Sequence, residues 1–326
     1  ARSLLPLAVG PAMSASGGRG AAGSFAVSGD SFVLIARLIA EPASLQDHLA
    51  RAAADLAARG MTVESCEGLA HVPEVTELRV SGGNAGSLRA VLDGVVAPAD
   101  LLIADHEPRV PQLFVSDMDS TMIAAECIDE LADFAGIKHQ VAAITERAMQ
   151  GELDFESALR ARVLLLRDLS VGASAECLDT RIAAMPGAAT LVATLKAKGC
   201  RTVLVTGGVH HFADPVAEQL GFDHVVANRL EVSDGQLTGG LVGGITDSGV
   251  KKAVLLAEAE ALGEGTVSLA TGDGANDIPM LEAATYGLAY RAKPKARSAA
   301  DGWVDRGDLT AVLLLLGVPR SEWVEG

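Results

Sequence analysis

Residues 113–121 read LFVSDMDST, an apolar run that leads directly into two aspartates. A short apolar run bounded by polar residues predicts a buried strand over Leu113–Ser116. Asp117 and Asp119 then stand at the end of that strand, where open α/β sheets bind their ligands. Two carboxylates so close in sequence repel each other unless a cation or a shared proton lies between them. The alternative is structural, because Asp119 or Ser120 could simply cap the next helix.

Four further strand-like segments follow, and helical patterns separate them. They are Thr202–Val205, His224–Ala227, Thr266–Ala270 and Gly287–Tyr290. This alternation predicts a Rossmann-like α/β fold, a parallel sheet with helices on both faces. The stretch of about 122–185 has helical periodicity and predicts a helical cap inserted after the first strand. Asp234-Gly235, within residues 232–237, predicts a hairpin turn.

The part of the chain before this sheet predicts a second, smaller domain, since 326 residues are enough for about two domains. From 31 to 105 the pattern predicts the order strand, helix, strand, strand, helix, strand, which is that of a ferredoxin-like α+β unit. ACT domains, which sense amino acids, share this order, and a packing or dimerisation module is an equally good interpretation. Pro108 and Pro111 mark the boundary. We therefore expect an ACT-like domain over 30–107 and an α/β domain over 112–320.

Residues 1–29 are rich in Ala, Gly and Ser and have almost no periodic apolar pattern. Their apolar patch is interrupted by Pro6 and is too poor to be the apolar region of a signal peptide. This composition predicts a disordered arm, because it offers little apolar surface to bury.

The chain carries 42 acidic side chains against 26 basic ones, a net charge of −16 at pH 7. So acidic a surface repels phosphate backbones and anionic lipids, which argues against nucleic-acid or membrane-surface partners. The longest apolar runs, such as Ala311–Leu316, fall short of the roughly 18–20 residues that a bilayer needs. The four cysteines are scattered and suggest neither a zinc site nor a disulfide framework. We expect a protein of the reducing cytoplasm.

Two more polar motifs follow predicted strands. Thr206-Gly207-Gly208 offers a hydroxyl and exposed backbone N–H groups that suit an anion, although a tight turn without a ligand would also have this sequence. Residues 271–277, TGDGAND, present two carboxylates and an amide beside glycines that let the backbone approach closely. Their spacing is not that of an EF-hand calcium loop. Lys251 and Lys252 open the preceding helix, and adjacent lysines usually belong to an exposed face.

Together and in this order, these motifs resemble the haloacid dehalogenase superfamily, and within it the phosphoserine phosphatases. The resemblance covers about 113–317 and rests on the strings DMDST, ANRLEV and GDGANDIPML, with Ala292-Lys293-Pro294 further on. An ACT-like unit in front is also common in that family. One departure is residues 206–209, Thr-Gly-Gly-Val, where the family usually has Ser-Gly-Gly-Phe. The threonine keeps the hydroxyl, whereas the missing aromatic ring alters the local fit to the substrate.

The resemblance implies a role for each acidic position. Asp117 would attack phosphorus to form an aspartyl-phosphate, and Asp119 would act as general acid and then as general base. A magnesium ion would lie between Asp117, the backbone carbonyl of Asp119 and Asp273, since oxygen ligands suit this ion and not zinc. Lys252 would neutralise a phosphoryl oxygen, and Lys251 would be solvated.

The resemblance also implies how the phosphoryl group is held. Thr206, the N–H of Gly207 and nearby Asn276 would contact its remaining oxygens. Asp277 would support either Lys252 or the waters of the metal from behind.

Cap residues are implied to select the substrate. Glu126 matches the acid that pairs with the substrate ammonium, and Arg162 matches the arginine that grips its carboxylate. Met149 and Phe155 match apolar residues that line the pocket. The alternative is that Glu126 and Arg162 form ordinary surface ion pairs. If both roles hold, the implied reaction is the hydrolysis of phosphoserine to serine, the last step of serine biosynthesis.

Other hypotheses stay open. Another enzyme of the superfamily could act on a different small phosphate ester or pass the phosphoryl group to an alcohol. A regulatory protein could accept phosphate on Asp117 without turnover, although a general base at Asp119 would shorten the life of that phospho-aspartate. Serine binding by residues 30–107 and assembly into a homodimer are two further hypotheses.

Overall fold

The computed structural model describes residues 33–150 and 152–326, so the arm predicted over 1–29 lies outside the described residues. The first six elements are β1 (Val33–Ile39), α1 (Pro42–Ala58), β2 (Thr62–Leu69), β3 (Val72–Ser81), α2 (Ala85–Val96) and β4 (Asp100–Ala104). In this unit β1 pairs with β3 and β4, and β2 pairs with β3, all antiparallel. The ACT-like character of residues 30–107 stays a prediction.

The remaining strands and helices alternate along the chain. They are β5 (Leu113–Ser116), α3 (Cys127–Phe134), α4 (Lys138–Met149), α5 (Phe155–Leu164), α6 (Val171–Arg181), α7 (Ala188–Ala197), β6 (Arg201–Val209), α8 (His210–Leu220), β7 (His224–Ser233), β8 (Gln236–Val242), α9 (Ser248–Leu262), β9 (Ser268–Gly272), α10 (Ile278–Leu281), β10 (Tyr286–Tyr290), α11 (Pro294–Ala299), β11 (Gly302–Val304) and α12 (Ala311–Leu315). In the described part of the chain, no helix has both the length and the apolar character needed to span a bilayer.

The strands of the described residues form one sheet in the order β2-β3-β1-β4-β11-β10-β9-β5-β6-β7-β8. From β11 to β7 all neighbours are parallel, and β8 adds an antiparallel edge strand. This confirms the α/β fold predicted from the alternation of strands and helices. Helices α3 to α6 lie within the stretch of about 122–185 for which a cap was predicted.

The central strand of the parallel part is β5, whose apolar residues are fully buried. Strands of this kind are covered on both faces and therefore read as continuous apolar runs. Strand β5 lies between β6 and β9, with Ser116 opposite Leu204 on one side and Thr271 on the other. The segments that follow these three strands consequently meet at one edge of the sheet.

Strand β6 runs farther than the predicted Thr202–Val205, and it ends at Val209. Val205 pairs with Val226, whereas Val209 already pairs with Asn228. Three residues of β6, 206–208, therefore stand against a single residue of β7, which is a β-bulge. The Thr-Gly-Gly motif is this bulge and not a loop that follows the strand.

The turn between β7 and β8 confirms the predicted hairpin. Asp234 and Gly235 have φ values of 51° and 76°. Both central residues of a two-residue type I′ turn need positive φ, which Asp and Gly tolerate better than other residues.

One feature that no local pattern predicts is the joint between β4 and β11. These strands pair antiparallel, with Leu102 opposite Gly302, and they make the first unit and the parallel sheet continuous. The buried side chain of Asp100, at the start of β4, accepts hydrogen bonds from the N–H groups of residues 305–307. The strand partners lie far apart in sequence, so only tertiary packing brings them together.

The substitution Gly302→Ala tests this joint. A Cβ at position 302 would overlap the carbonyl oxygen of Leu101 and lie 2.8 Å from the Cα of Leu102. We expect the free energy of unfolding, measured with urea, to fall by about 1–3 kcal/mol, the usual cost of overpacking. The control is Gly94→Ala in α2, because nothing lies within 4 Å of a Cβ there and helices favour alanine. Equal stability of the two variants would contradict the joint.

Candidate active site

A cavity of about 330 Å³ opens where the ends of β5, β6 and β9 meet the cap. Predicted site residues that line it are Asp117, Asp119, Glu126, Phe155, Arg162, Thr206, Gly207, Asp273 and Asn276. Lys252 and Asp277 are not in its walls, and each has a different position, described below. The side chain of Met149, the last residue of α4, lies outside the described part of the chain.

Asp117 extends β5 by one residue, because its N–H donates to the carbonyl oxygen of Thr271 at 3.0 Å. Its buried Oδ1 accepts hydrogen bonds from the N–H of Met118 at 2.8 Å and from the Nζ of Lys251 at 2.7 Å. Burial and the charge of Asp277 raise the pKa of Asp117, while the ammonium of Lys251 opposes them. The carboxylate is thus held in place by contacts on the sheet side of the cavity.

Lys251, and not Lys252, is the lysine of the site, so the choice made from the sequence was wrong. The Nζ of Lys251 lies 2.7 Å from an oxygen of Asp117 and 2.7 Å from one of Asp277, and its side chain is 1% exposed. Lys252 is exposed to solvent. Burial acts to lower the pKa of Lys251, but the two aspartates outweigh it and raise that pKa above its ordinary value. The ammonium is therefore charged.

The phase of helix α9 explains the error. Lys252 stands four residues before Leu256, which is 48% exposed, whereas Leu255 is buried. Side chains four residues apart share a helix face, so the inward lysine is the one four residues before Leu255, which is Lys251. The apolar residues of α9 are spread around its circumference, and the pattern alone did not resolve the face.

Asp277 organises the loop after β9. Its Oδ2 accepts hydrogen bonds from the N–H groups of Asp273 at 3.1 Å and Gly274 at 2.9 Å, while Oδ1 accepts from Lys251 at 2.7 Å. A Cβ at Gly272 would lie 2.5 Å from the Cγ of Asp277, so the close approach of this carboxylate requires glycine there. Asp277 thus holds Lys251 and the backbone of the loop, whereas the sequence had predicted that it supports Lys252 or the waters of the metal.

Asp117, Asp273 and Asp277 each offer a buried carboxylate oxygen, and these oxygens lie within 4.8 Å of one another. An all-oxygen donor set of this kind suits a hard divalent cation. Both oxygens of Asp277 already accept hydrogen bonds, which leaves Asp117 and Asp273 as the better donors. These three carboxylates contact two ammonium groups, those of Lys251 and Lys293, so an excess negative charge is left, which a cation would neutralise. The backbone carbonyl of Asp119 as a ligand stays a prediction.

Asp119 does not belong to this carboxylate cluster. Its Oδ1 accepts a long hydrogen bond, 3.4 Å, from the N–H of Cys127 at the start of α3. Burial and the charge of Glu126 raise the pKa of Asp119 to about 7. A carboxyl group that titrates near neutral pH can both give and take a proton under ordinary conditions.

The bulge of β6 is held from behind by Asn228. The Nδ2 of Asn228 donates to the carbonyl oxygen of Gly207 at 2.8 Å, and its Oδ1 accepts from the N–H of Thr246 at 2.8 Å. Within the bulge, Thr206 Oγ1 accepts from the N–H of Gly208 at 2.9 Å. Asn228 was not predicted as a site residue, although an amide directly after the predicted strand His224–Ala227 is a signal of such a contact.

The cap supplies a second set of polar groups. The Nε of Arg162 is buried and has no hydrogen-bond partner among the described residues, whereas Arg160 on the same helix pairs with Glu156. Glu126 accepts a hydrogen bond from the Oγ of Ser120 at 3.0 Å. Desolvation raises the pKa of Glu126 above its ordinary value, and Ser120 opposes this. An unpartnered guanidinium at the cavity wall is suited to an anionic ligand group.

An aromatic residue joins the cap to the sheet. Phe155 is 37% exposed, and its ring covers the bulge of β6 so closely that a Cβ at Gly207 would lie 2.8 Å from the Cζ of Phe155. This contact explains why a glycine is required at the centre of the bulge.

Several wall residues were not predicted from the sequence. They are Ile128, Asp129, Thr145 and Lys293, whereas Gly208 belongs to the predicted Thr-Gly-Gly motif. The Oδ1 of Asp129 is buried without a hydrogen-bond partner among the described residues. The Nζ of Lys293 lies 3.1 Å from Oδ2 of Asp273. The Ala-Lys-Pro string marked this segment, but only the fold brings position 293 to position 273.

Comparison with known proteins places this geometry in context. Residues 114–282 match the model of the haloacid dehalogenase-like hydrolases. The phosphoserine phosphatase of Polaromonas sp. is 43% identical over 227 residues, which cover 68% of this chain and 94% of that relative. The structure of a probable phosphoserine phosphatase from Vibrio cholerae superposes with a TM-score of 0.69 at 33% identity, covering 89% of this chain and 88% of that chain. A phospho-aspartyl intermediate analogue of phosphoserine phosphatase superposes with a TM-score of 0.57 at 38% identity, covering 63% of this chain and 98% of that chain.

Substituting each lysine in turn tests the corrected assignment. Lys251→Met would leave two buried carboxylates without their counter-charge, and we expect the free energy of unfolding at pH 7 to fall by about 3–5 kcal/mol. Lys252→Met should change it by no more than about 0.5 kcal/mol, as exposed substitutions usually do. Urea unfolding in EDTA measures both. Equal losses in the two variants would contradict the burial of Lys251.

Asp119→Asn tests the raised pKa of this carboxyl group. Its folded pKa of about 7 lies above the ordinary 3.8, so the folded protein binds an extra proton between these pH values and loses stability as the pH rises through them. Asparagine does not ionise. We therefore compare the free energy of unfolding of the variant with that of the unmodified protein at each pH. The difference, variant minus unmodified protein, should increase by about 2–3 kcal/mol from pH 5 to pH 8. Urea unfolding in EDTA at both pH values measures this, and a difference independent of pH would contradict the shift.

Proposed function

Because the chain belongs to the haloacid dehalogenase-like hydrolases, and within them to the phosphoserine phosphatases, we propose that it hydrolyses O-phospho-L-serine to L-serine and phosphate. The observation that carries the proposal is that one cavity presents the nucleophile candidate Asp117 together with the carboxylate of Glu126 and the guanidinium of Arg162, whose buried Nε has no hydrogen-bond partner among the described residues. A phosphorylated zwitterion offers a complementary group to each. This hydrolysis is the last step of serine biosynthesis.

Asp117 acts as the nucleophile of the first step. One of its oxygens forms a bond to phosphorus while the bond between phosphorus and the serine oxygen breaks, which leaves an aspartyl-phosphate. Its position at the end of β5 and its contact with Lys251 hold the attacking oxygen in place before the substrate arrives. The same contact keeps a positive charge beside the group that forms the new bond.

Asp119 handles the proton. In the first step its protonated form gives a proton to the departing serine oxygen, and in the second its ionised form takes one from the water that cleaves the aspartyl-phosphate. The pKa of about 7, caused by burial and the charge of Glu126, supports both roles in one residue. Each turnover thus returns Asp119 to its protonated form.

Magnesium is the ion that we assign to the site, with Asp117 and Asp273 as side-chain ligands and the backbone carbonyl of Asp119 as the third. When bound, it supplies positive charge that neutralises phosphoryl oxygens and orients the phosphoryl group. The oxygen donors that lie within 4.8 Å of one another support this choice. Asp277 keeps Lys251 and the Asp273 loop in position.

The bulge of β6 holds the phosphoryl group from the other side. The hydroxyl of Thr206, the N–H of Gly207 and the amide of Asn276 line the cavity and are the donors that we assign to its oxygens. Asn228 fixes the backbone of the bulge, so these donors are set in place in advance.

The cap determines which ester is accepted. We assign the substrate carboxylate to Arg162 and the substrate ammonium to Glu126, with Phe155 and Met149 as apolar walls.

Serine binding by residues 30–107, a homodimer and a cytoplasmic location are further proposals. They rest on the family resemblance and on the scattered cysteines, and the absence of nucleic-acid and membrane partners rests on the net charge of −16.

A panel of phosphate esters tests the proposed function. We expect magnesium-dependent release of phosphate from L-phosphoserine, loss of activity in EDTA, and slower release from O-phosphoethanolamine, which lacks the carboxylate. In Arg162→Met, KM for phosphoserine should rise by roughly tenfold or more, and KM for phosphoethanolamine should not change, since only phosphoserine loses a charged hydrogen bond. Activity on other esters but not on phosphoserine would contradict the assigned substrate.

The matched control is Arg160→Met, which removes a guanidinium from the same helix. Arg160 pairs with the exposed Glu156 and does not line the cavity. Arg160→Met should leave KM unchanged for both phosphoserine and phosphoethanolamine. A rise in KM for both esters in Arg162→Met would mean that the guanidinium does not bind the substrate carboxylate.

A further inference from the structure

The cavity wall contains a lysine, Lys293, whose main chain is held by a hydrogen bond and whose side chain is largely exposed. Its N–H donates to the carbonyl oxygen of Asp273 at 2.8 Å, and it stands directly before the first residue of α11. Its Nζ lies 3.1 Å from Oδ2 of Asp273, yet its side chain is 65% exposed. The ammonium is therefore carried by a flexible stem that begins at a fixed point beside the carboxylate cluster.

Lys293 is also one of only two cations in the cavity wall among the described residues. The wall contains five carboxylates, those of Asp117, Asp119, Glu126, Asp129 and Asp273, against the charges of Arg162 and Lys293. Lys251 lies behind the wall, buried between its two aspartates. A phosphate dianion that approaches a protein of net charge −16 thus meets Lys293 as an accessible positive charge beside the reacting carboxylates.

The charge state of Lys293 suits this position. A lysine side chain ordinarily loses its proton only at about pH 10.4, well above the neutral range. Lys293 is therefore charged throughout the neutral range, and its Nζ contacts Asp273.

We propose that Lys293 is a positioning residue with two alternative partners, Asp273 in the metal-free protein and the phosphoryl group of the substrate once a divalent ion binds Asp273. The inference rests on the proposed function. A divalent cation bound to Asp273 repels the ammonium, whose Nζ lies 3.1 Å from Oδ2 of the same carboxylate. The exposed stem lets the ammonium leave, and the phosphoryl group held at Asp117 is then the anion in need of a counter-charge.

With these two partners, Lys293 weakens the binding of the ion and strengthens the binding of the substrate. The ammonium beside Asp273 repels the ion, so loss of the charge should strengthen ion binding. The substrate gains the ammonium as a partner, so the same loss should weaken substrate binding. A residue that merely keeps the loop in shape would weaken both when it is removed.

Lys293→Gln separates these possibilities. Titration of the EDTA-treated and dialysed protein with magnesium chloride in a calorimeter, without substrate, should give a dissociation constant roughly two- to fivefold lower, as loss of a partly exposed ion pair allows. With magnesium saturating, KM for phosphoserine should rise by roughly tenfold while kcat changes by less than about twofold, because uniform binding is lost. Lys293→Arg should restore both values toward those of the unmodified protein.

Lys295→Gln is the control for net charge. Lys295 is exposed on α11, the helix that follows Lys293, and does not line the cavity, so this variant should leave the magnesium dissociation constant and KM unchanged. Weaker magnesium binding in Lys293→Gln, or a KM equal to that of Lys295→Gln, would overturn the proposal. If the unmodified protein does not hydrolyse phosphoserine, the proposed function fails, whereas the magnesium titration still decides whether Lys293 competes with the ion.

Discussion

The contact of one buried ammonium with two buried aspartates is the constraint on which the site depends. Charges removed from water cost several kcal/mol each, so Asp117 and Asp277 are tolerable only because Lys251 lies 2.7 Å from both. This requirement fixes the rotation of α9 about its axis. It also draws Asp277 against the backbone, which is why the loop after β9 contains glycines. The carboxylates left uncompensated make the cavity attractive to a cation within an already acidic protein.

The sheet and the cap contribute different properties to this cavity. Groups at the strand ends are buried and held by backbone hydrogen bonds, as Asn228 holds the bulge of β6. They suit chemistry that is common to many phosphate esters. The cap instead presents Glu126 and Arg162, whose surroundings are more open, and these suit the choice among esters. Phe155 touches Gly207 and is the point at which the two parts meet.

Much of this arrangement follows from local sequence patterns, because a buried strand and the polar residues at its end are neighbours in sequence. For this reason β5, the aspartates after it and the Asp-Gly hairpin could be predicted. Prediction failed where the answer depended on packing. Helix α9 has apolar residues on several faces, so the sequence did not distinguish Lys251 from Lys252. The pairing of β4 with β11 and the approach of Lys293 to Asp273 are long-range contacts that leave no local pattern.

The continuous sheet limits how the chain can be divided. A fragment that began at the proline-rich segment 108–111 would keep the cavity but would lose β4, the partner of β11. The N–H and C=O groups of β11 would then face solvent as an open sheet edge, which is a template for pairing with other chains. The first unit therefore acts as a cover for that edge, whatever else it binds. Removal of the first unit would therefore promote aggregation through β11, even where the cavity and its catalysis are kept.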